Sequence, residues 1–199
     1  MIWPTPLPTA SPTTSSTLFC STPTKPALIR SPSSPQWVTP ASRSSYRSDV
    51  SIATCLGFLR AMSQAADVGS VVLLHCEDAA IMGCCADRLQ DQGLTEHRHY
   101  PETSPVEAER IATERAVGYC ETTGAASYIV HLSSQAALQA CRTARARGLP
   151  LYVETRPIYL HLERSRFDEP DGAKYAGAPP LRDDADRDAL WARDCRRHR

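Results

Sequence analysis

The sequence of 199 residues lacks several motifs that would assign a function directly. It contains no GxSxG, GxGxxG or P-loop motif, which argues against a nucleophile-elbow hydrolase and against the common dinucleotide- and nucleotide-binding sites. None of the eight cysteines forms a CxxC pair, which argues against a structural zinc knuckle. No apolar run approaches the ~20 residues that a membrane span needs.

The sequence also has no net charge and few lysines. The formal net charge is zero, so there is no electrostatic basis for a nucleic-acid or membrane partner. Lys25 and Lys174 are the only lysines in the chain. The cysteines do not form the framework of a short secreted domain, and residues 1–20 lack the basic leader and apolar run of a signal peptide. We therefore expect a cytoplasmic protein with reduced thiols.

The first quarter of the chain differs from the rest. Residues 1–49 are more than half Ser, Thr and Pro, with nine of the sixteen prolines and no glycine. Too few large apolar side chains are present to offset the entropy of an ordered chain. We predict that residues 1–49 are disordered. Two origins remain open: a genuine low-complexity tail or a mis-framed segment.

From about residue 50, helical and strand patterns are interpreted as alternating units, in the order α-β-α-β-α-β, with two helical segments between the first two strands. The spacing of apolar residues predicts helices over 51–66, 79–90, 105–122 and 135–145, and strands over 71–74, 128–130 and 151–153. Ser104 is predicted to cap the third helix and Ser133 or Ser134 the fourth. Residues 165–185 are expected to be loop-like, before a short helix at 186–193. This alternation predicts a parallel sheet whose strands are buried on both faces.

Each predicted strand ends in a polar residue that could carry chemistry. His75, His131 and Glu154 follow the three strands, and the carboxyl ends of parallel strands lie on one face. Two histidines there could bind one or two metal ions through neutral imidazole nitrogens. The alternative is that each is a hydrogen-bonded structural residue.

The other histidines and several cysteines are expected to be structural. Cys76 and His75 are neighbours on a strand and therefore point to opposite faces, so they should not form a catalytic pair. The remaining positions are assigned to a polar connection, a surface helix, helix packing or the basic tail: His97, His99, His161, Cys84, Cys85 and His198.

Five strings carry a resemblance to a known family. VVLLHCED, YPETSPVEAERIATERAVGYC, YIVHLSS, ALQACRTARARGLPLYVET and APPLR occur in this order. Together they resemble the middle of a cyclic amidohydrolase of the D-hydantoinase and dihydropyrimidinase type, over residues 49–193. The resemblance implies the α/β class and a metal-dependent (β/α)8 TIM barrel. Residues 50–199 are expected to form part of that barrel.

The resemblance also implies a site. His75 and His131 match two metal ligands of the family, and Ala178 matches a position whose main chain binds the substrate amide. The implied cofactor is a divalent metal, expected to be zinc, with two ions in an intact relative. The implied reaction opens the C–N amide bond of a small cyclic amide, a hydantoin or a dihydropyrimidine. Intact relatives are expected to form homo-oligomers, as tetramers.

The sequence departs from the family pattern in ways that concern catalysis. It lacks the family's HxH pair after a strand, its bridging lysine and its later proton-shuttle aspartate, so no catalytic residue is identified. Lys25 lies in the Pro-rich segment and Lys174 comes too late. We therefore expect an internal fragment that is inactive alone, behind a mis-framed segment 1–49. Open alternatives are a non-catalytic dihydropyrimidinase-related assembly protein, an allantoinase- or dihydroorotase-like enzyme, and an unrelated α/β binding module.

Overall fold

The computed structural model describes residues 48–194 and, before them, 29–30 and 37–38. Strand β1 (Ile29–Arg30) pairs antiparallel with β2 (Trp37–Val38). Apart from these two short strands and the start of the first helix, the prediction of disorder over 1–49 falls outside the described residues. The boundary proposed at residue 50 therefore stays a prediction.

Helices and strands follow one another through the rest of the described residues. In order they are α1 (Ser48–Asp67), β3 (Val72–Leu74), α2 (Ala79–Asp91), α3 (Val106–Thr123), β4 (Ser127–Ile129), α4 (Gln135–Ala146), β5 (Leu151–Val153), α5 (Pro157–His161) and α6 (Asp184–Asp194). Three 3-10 helices lie at His97–Thr103, Arg164–Asp168 and Gly172–Tyr175. The last two fall at the start of and within residues 165–185, the segment predicted to be loop-like. The predicted elements from the first helix to the third strand of this region are confirmed, with two helices, α2 and α3, between β3 and β4.

Strands β3, β4 and β5 form one parallel sheet in that order. Leu73, Tyr128 and Tyr152 are aligned across the three strands. Helices α3 and α4 pack against each other, and α1 packs against α3. The parallel sheet expected from the alternating pattern is confirmed.

The expectation that the strands are buried on both faces is wrong for their middle residues. In each strand the two outer residues are buried and the middle residue is half-buried. The buried residues share one core with α1, α3 and α4. The opposite face carries the row of Leu73, Tyr128 and Tyr152, which is only partly covered. Helices of the described region therefore cover one face of this arc.

Helix ends follow local chemistry with one exception. Gly124 ends α3 with a positive φ of 70°, and its N–H donates to the Cys120 carbonyl. The Ser134 hydroxyl accepts from the Ala137 N–H and caps α4, as predicted. The prediction that Ser104 caps α3 is wrong, because Pro105 holds the cap position. The Ser104 hydroxyl donates instead to the carboxylate of Glu77, which is buried and needs donors there.

None of the helices within the described residues has the length and hydropathy needed to cross a bilayer.

The core of this sheet yields a matched test of packing. Ile129 is 1% exposed at the centre of the sheet, whereas Ile111 on α3 is 36% exposed. We predict that Ile129→Ala lowers the free energy of unfolding by ~2–5 kcal/mol, because it leaves a cavity between sheet and helices. Ile111→Ala removes the same atoms and should change it by less than ~1 kcal/mol. Chemical denaturation of both variants checks this, and equal losses would contradict the described core.

Candidate metal centre

His75 and His131 lie at the same edge of the sheet. His75 follows β3 directly, and His131 lies two residues beyond β4. The parallel pairing continues past the strands, since the Val130 N–H donates to the Leu74 carbonyl at 3.1 Å. The structure therefore brings together the two histidines that the sequence singled out.

The two imidazole rings are in direct contact. His75 Nδ1 lies 2.8 Å from His131 Nε2, and the ring centroids are 4.7 Å apart in an edge-to-face arrangement. This separation fits a hydrogen bond between the rings. It is about 0.5 Å shorter than the separation of two nitrogen ligands of a tetrahedral zinc ion with ~2.0–2.1 Å bonds, so a bound ion would need the pair to open slightly.

Burial sets the protonation of His131. Removal from water lowers its pKa to about 4, and the charges of His75 and Arg156 act in the same direction. His131 is consequently neutral at neutral pH, which is the form that binds a metal. Its Nδ1 is buried and makes no hydrogen bond within the described residues.

The backbone at His131 is unusual. Its φ is +45°, a left-handed conformation that side-chain-bearing residues rarely adopt. Such a conformation costs on the order of 1–3 kcal/mol and persists where neighbouring contacts hold it. The Leu132 N–H donates to the Glu154 carbonyl at 2.8 Å, immediately after the turn. This turn directs the His131 ring toward His75.

The described residues supply only part of what a metal ion needs. Two imidazole nitrogens converge, but the described part of the chain has no group of three or more His, Cys, Asp or Glu side chains that could hold one. A zinc site uses at least three protein ligands. Residues 48–194 therefore supply at most part of a metal centre, and the ligand role of the two histidines stays a prediction.

Behind the pair lies a buried polar network that sequence reasoning missed. Glu77 Oε2 lies 3.1 Å from His75 Nε2, and Glu77 accepts from the Ser104 hydroxyl. Glu109 and Arg182 are buried and lie 3.6 Å apart. A signal for Glu109 existed, since it falls within the stripe of α3 that faces the core, formed by Ala108, Ala112, Thr113, Ala116 and Cys120.

Other residues considered from sequence lie outside the pair. Ala178 is half-buried between the last 3-10 helix and α6. Glu154 accepts from the Tyr128 hydroxyl at 3.1 Å. His97 Nε2 is 2.9 Å from the Glu169 carbonyl, and His99 Nδ1 is 3.5 Å from a Glu102 carboxylate oxygen. The expectation that His97 and His99 serve structure fits these contacts.

Comparison with known proteins gives consistent results, although no protein-family model matches the chain. D-hydantoinase of Streptomyces coelicolor is 36% identical over 135 residues, which are 67% of this chain and 29% of the relative. D-phenylhydantoinase of Escherichia coli is 38% identical over the same shares of the two chains. The crystal structure of dihydropyrimidinase from Brevibacillus agri matches with a TM-score of 0.66 and 33% identity, over 67% of this chain and 30% of that one.

These similarities confirm the resemblance to the D-hydantoinase and dihydropyrimidinase family and the partial barrel fold. The chain spans less than a third of the length of the relatives that it matches. The match is to a segment of each relative, in keeping with the expected fragment.

The buried ion pair yields a prediction with a pH dependence. Burial raises the pKa of Glu109, and Arg182 opposes that rise. Arg182→Met should lower the free energy of unfolding by ~3–5 kcal/mol, because the carboxylate stays buried without its counter-charge. A carboxyl with a raised folded-state pKa is most stabilising when protonated, so the loss should be greater at about pH 8 than at about pH 5.

Arg110→Met provides the control, because Arg110 forms an exposed ion pair with Glu114 on the same helix. Its effect on the free energy of unfolding should stay below ~1 kcal/mol at both pH values. Denaturant titrations at the two pH values measure both variants. A loss for Arg182→Met that is equal to the control, or that shrinks as pH rises, would count against the described network.

Proposed function

Since this chain shares its fold and about a third of its residues with D-hydantoinases over two thirds of its length, we propose that it carries part of the metal centre of a cyclic amidohydrolase. The contact between His75 and His131 at the carboxyl edge of two parallel strands carries the proposal. The reaction of the intact protein is hydrolysis of the C–N amide bond in a hydantoin or dihydropyrimidine ring. The names of the relatives favour these rings over allantoin or dihydroorotate.

In the proposed site, His75 and His131 are ligands of a divalent metal, which we assign as zinc. When bound, such an ion activates water and polarises the carbonyl of the substrate. The chain's own contribution is to present two imidazole nitrogens in a fixed relation at the sheet edge. The low pKa of His131 keeps its ring neutral at neutral pH, so that one of its two nitrogens carries no proton.

Ala178 is proposed to contact the substrate amide through its main chain. The carbonyls on either side are fixed, since the Tyr100 hydroxyl donates to Gly177 at 2.9 Å and the Tyr159 hydroxyl donates to Pro179 at 2.7 Å. Burial raises the pKa of Tyr100 to about 12, so the phenol keeps the proton that it donates. A rigid main chain at 177–179 suits recognition of a planar ring amide.

The histidine pair favours descent from an enzyme over a non-catalytic assembly protein of the same fold, because its geometry suits a ligand role. The buried cysteines Cys76, Cys120 and Cys141 form no disulfide within the described residues, in keeping with the cytoplasm, the location that we propose. A homo-oligomer of the intact protein is also part of the proposal.

We predict that the isolated chain does not hydrolyse hydantoin or dihydrouracil in a zinc- or manganese-dependent manner. Two histidines do not hold an ion in a fixed geometry, and the absent proton shuttle costs a further factor of ~10²–10⁴. Purified protein with added metal and a colorimetric assay for the carbamoyl product checks this. Metal-dependent turnover that disappears in His131→Ala would show that the missing ligands are supplied from elsewhere in the chain or by a second copy.

A graft tests the ligand roles directly. In Streptomyces coelicolor D-hydantoinase, the matched 135-residue segment is replaced by the corresponding segment of this chain. We expect metal-dependent hydantoin hydrolysis that falls at least ~100-fold on His75→Ala or His131→Ala, since loss of a ligand should cost at least as much as the ~10–100-fold that loss of a ligand's hydrogen-bond partner costs. His161→Ala, at an exposed histidine of α5, is the control and should change little. A folded graft whose activity and metal content survive both ligand substitutions would refute the assignment.

A further inference from the structure

We infer that Arg182 is a positioning residue that holds the His75 and His131 rings in their edge-to-face contact through two buried arms of polar contacts. Each arm begins at the Arg182 guanidinium and ends beside one histidine. The inference deepens the proposed function, on which it rests for the meaning of the pair.

The first arm leads to His75. Arg182 Nη1 donates to the main-chain carbonyl of Ser104 at 2.5 Å. The hydroxyl of the same serine donates to one carboxylate oxygen of Glu77. The other oxygen of Glu77 lies 3.1 Å from His75 Nε2, the ring nitrogen that faces away from His131. Glu77 can therefore set the orientation of the His75 ring, as carboxylate partners commonly do for ligand histidines.

The second arm leads to the turn that carries His131. Arg182 Nε donates to the Ser133 hydroxyl at 3.0 Å. That hydroxyl donates to Glu109 Oε2 at 2.9 Å, and the Ser133 N–H donates to Glu109 Oε1 at 2.7 Å. Ser133 lies two residues beyond His131, so this arm fixes the chain where it leaves the left-handed residue.

The strain at His131 explains why such an anchor is needed. A φ of +45° relaxes unless the chain on both sides is held. The Leu132 N–H donates to the Glu154 carbonyl just beyond β5, and the Leu132 carbonyl accepts from the Thr155 hydroxyl at 2.8 Å. Ser133 is the next fixed point, and it depends on Arg182 and Glu109. Loss of that point should let the turn relax and the His131 ring leave His75.

Arginine is suited to this role because its planar fork presents donors in several fixed directions. Nε and Nη1 serve the two arms at once, and Nη2 lies 3.6 Å from Glu109. Lysine would keep the charge but has a single nitrogen. An Arg182→Lys variant therefore separates the geometric role of the guanidinium from its charge.

A merely structural ion pair is the competing explanation, and a double variant separates the two. Arg182→Met with Glu109→Leu removes both buried charges together, a replacement that often leaves stability unchanged. This variant should fold, yet it lacks the anchor at Ser133. The positioning role predicts that the histidine pair is lost while the fold is kept.

The experiment measures the contact between the two rings in the full chain by NMR, with labelled histidine and no metal. Ring centroids 4.7 Å apart should give nuclear Overhauser cross-peaks between ring protons, assigned with His75→Ala and His131→Ala. We expect the cross-peaks to fall at least twofold in Arg182→Lys and in the double variant, with unchanged circular dichroism. Arg110→Lys, at an exposed arginine, should keep them.

The outcomes separate the positioning role of Arg182 from the proposed function of the chain. Cross-peaks of wild-type intensity in the folded double variant and in Arg182→Lys would overturn the positioning role, while an active graft would leave the proposed function standing. Absence of cross-peaks in the wild-type chain would contradict the ring contact itself. An inactive graft, together with loss of cross-peaks in the variants, would contradict the proposed function and leave the positioning role of Arg182 supported. If the double variant does not fold, Ser133→Ala decides, since it removes the shared hydroxyl and leaves both charges. Unchanged cross-peaks there would also overturn the inference.

Discussion

The parallel register of β3 on β4 decides where the rest of the site lies. Because Leu74 is aligned with Ile129, the chain leaves both strands at the same edge, and the two histidines emerge side by side. A shift of one residue would send one ring to the opposite face of the sheet. The core on the helix side, from Val72 to Val153, holds this register against slippage. The contact between the rings is thus a consequence of packing at some distance from it.

Buried charge forms the second layer of the site. Burial of Glu109 and Arg182 is unfavourable for each alone, and both become tolerable because both Glu109 oxygens and two of the three Arg182 nitrogens have hydrogen-bond partners. Such a network admits few alternative arrangements. Through this network, the segment after Pro180 determines where the turn beyond β4 lies, although the two are distant in sequence.

Much of this arrangement could be predicted from residue patterns, and the rest depended on contacts between distant segments. Apolar runs and glycines located β3, β4, β5 and the helices between them, because burial and turn conformations act locally. The same patterns placed His75 and His131 at strand ends. The role of Ser104 was predicted wrongly, since a local capping pattern competes with a distant buried Glu77. The left-handed turn at His131 could not be predicted from the local sequence, because no glycine lies beside it. Contacts with Glu109, Glu154 and Arg182, which are distant in sequence, hold it instead.

That turn also determines which substitutions position 131 would accept. A backbone with a positive φ is occupied most comfortably by glycine or asparagine, which have little or no steric penalty there. Stability and ligation therefore favour different amino acids at this one position. A stabilised version of the chain, selected for folding alone, would be expected to drift toward Gly or Asn at 131 and to lose the imidazole in doing so.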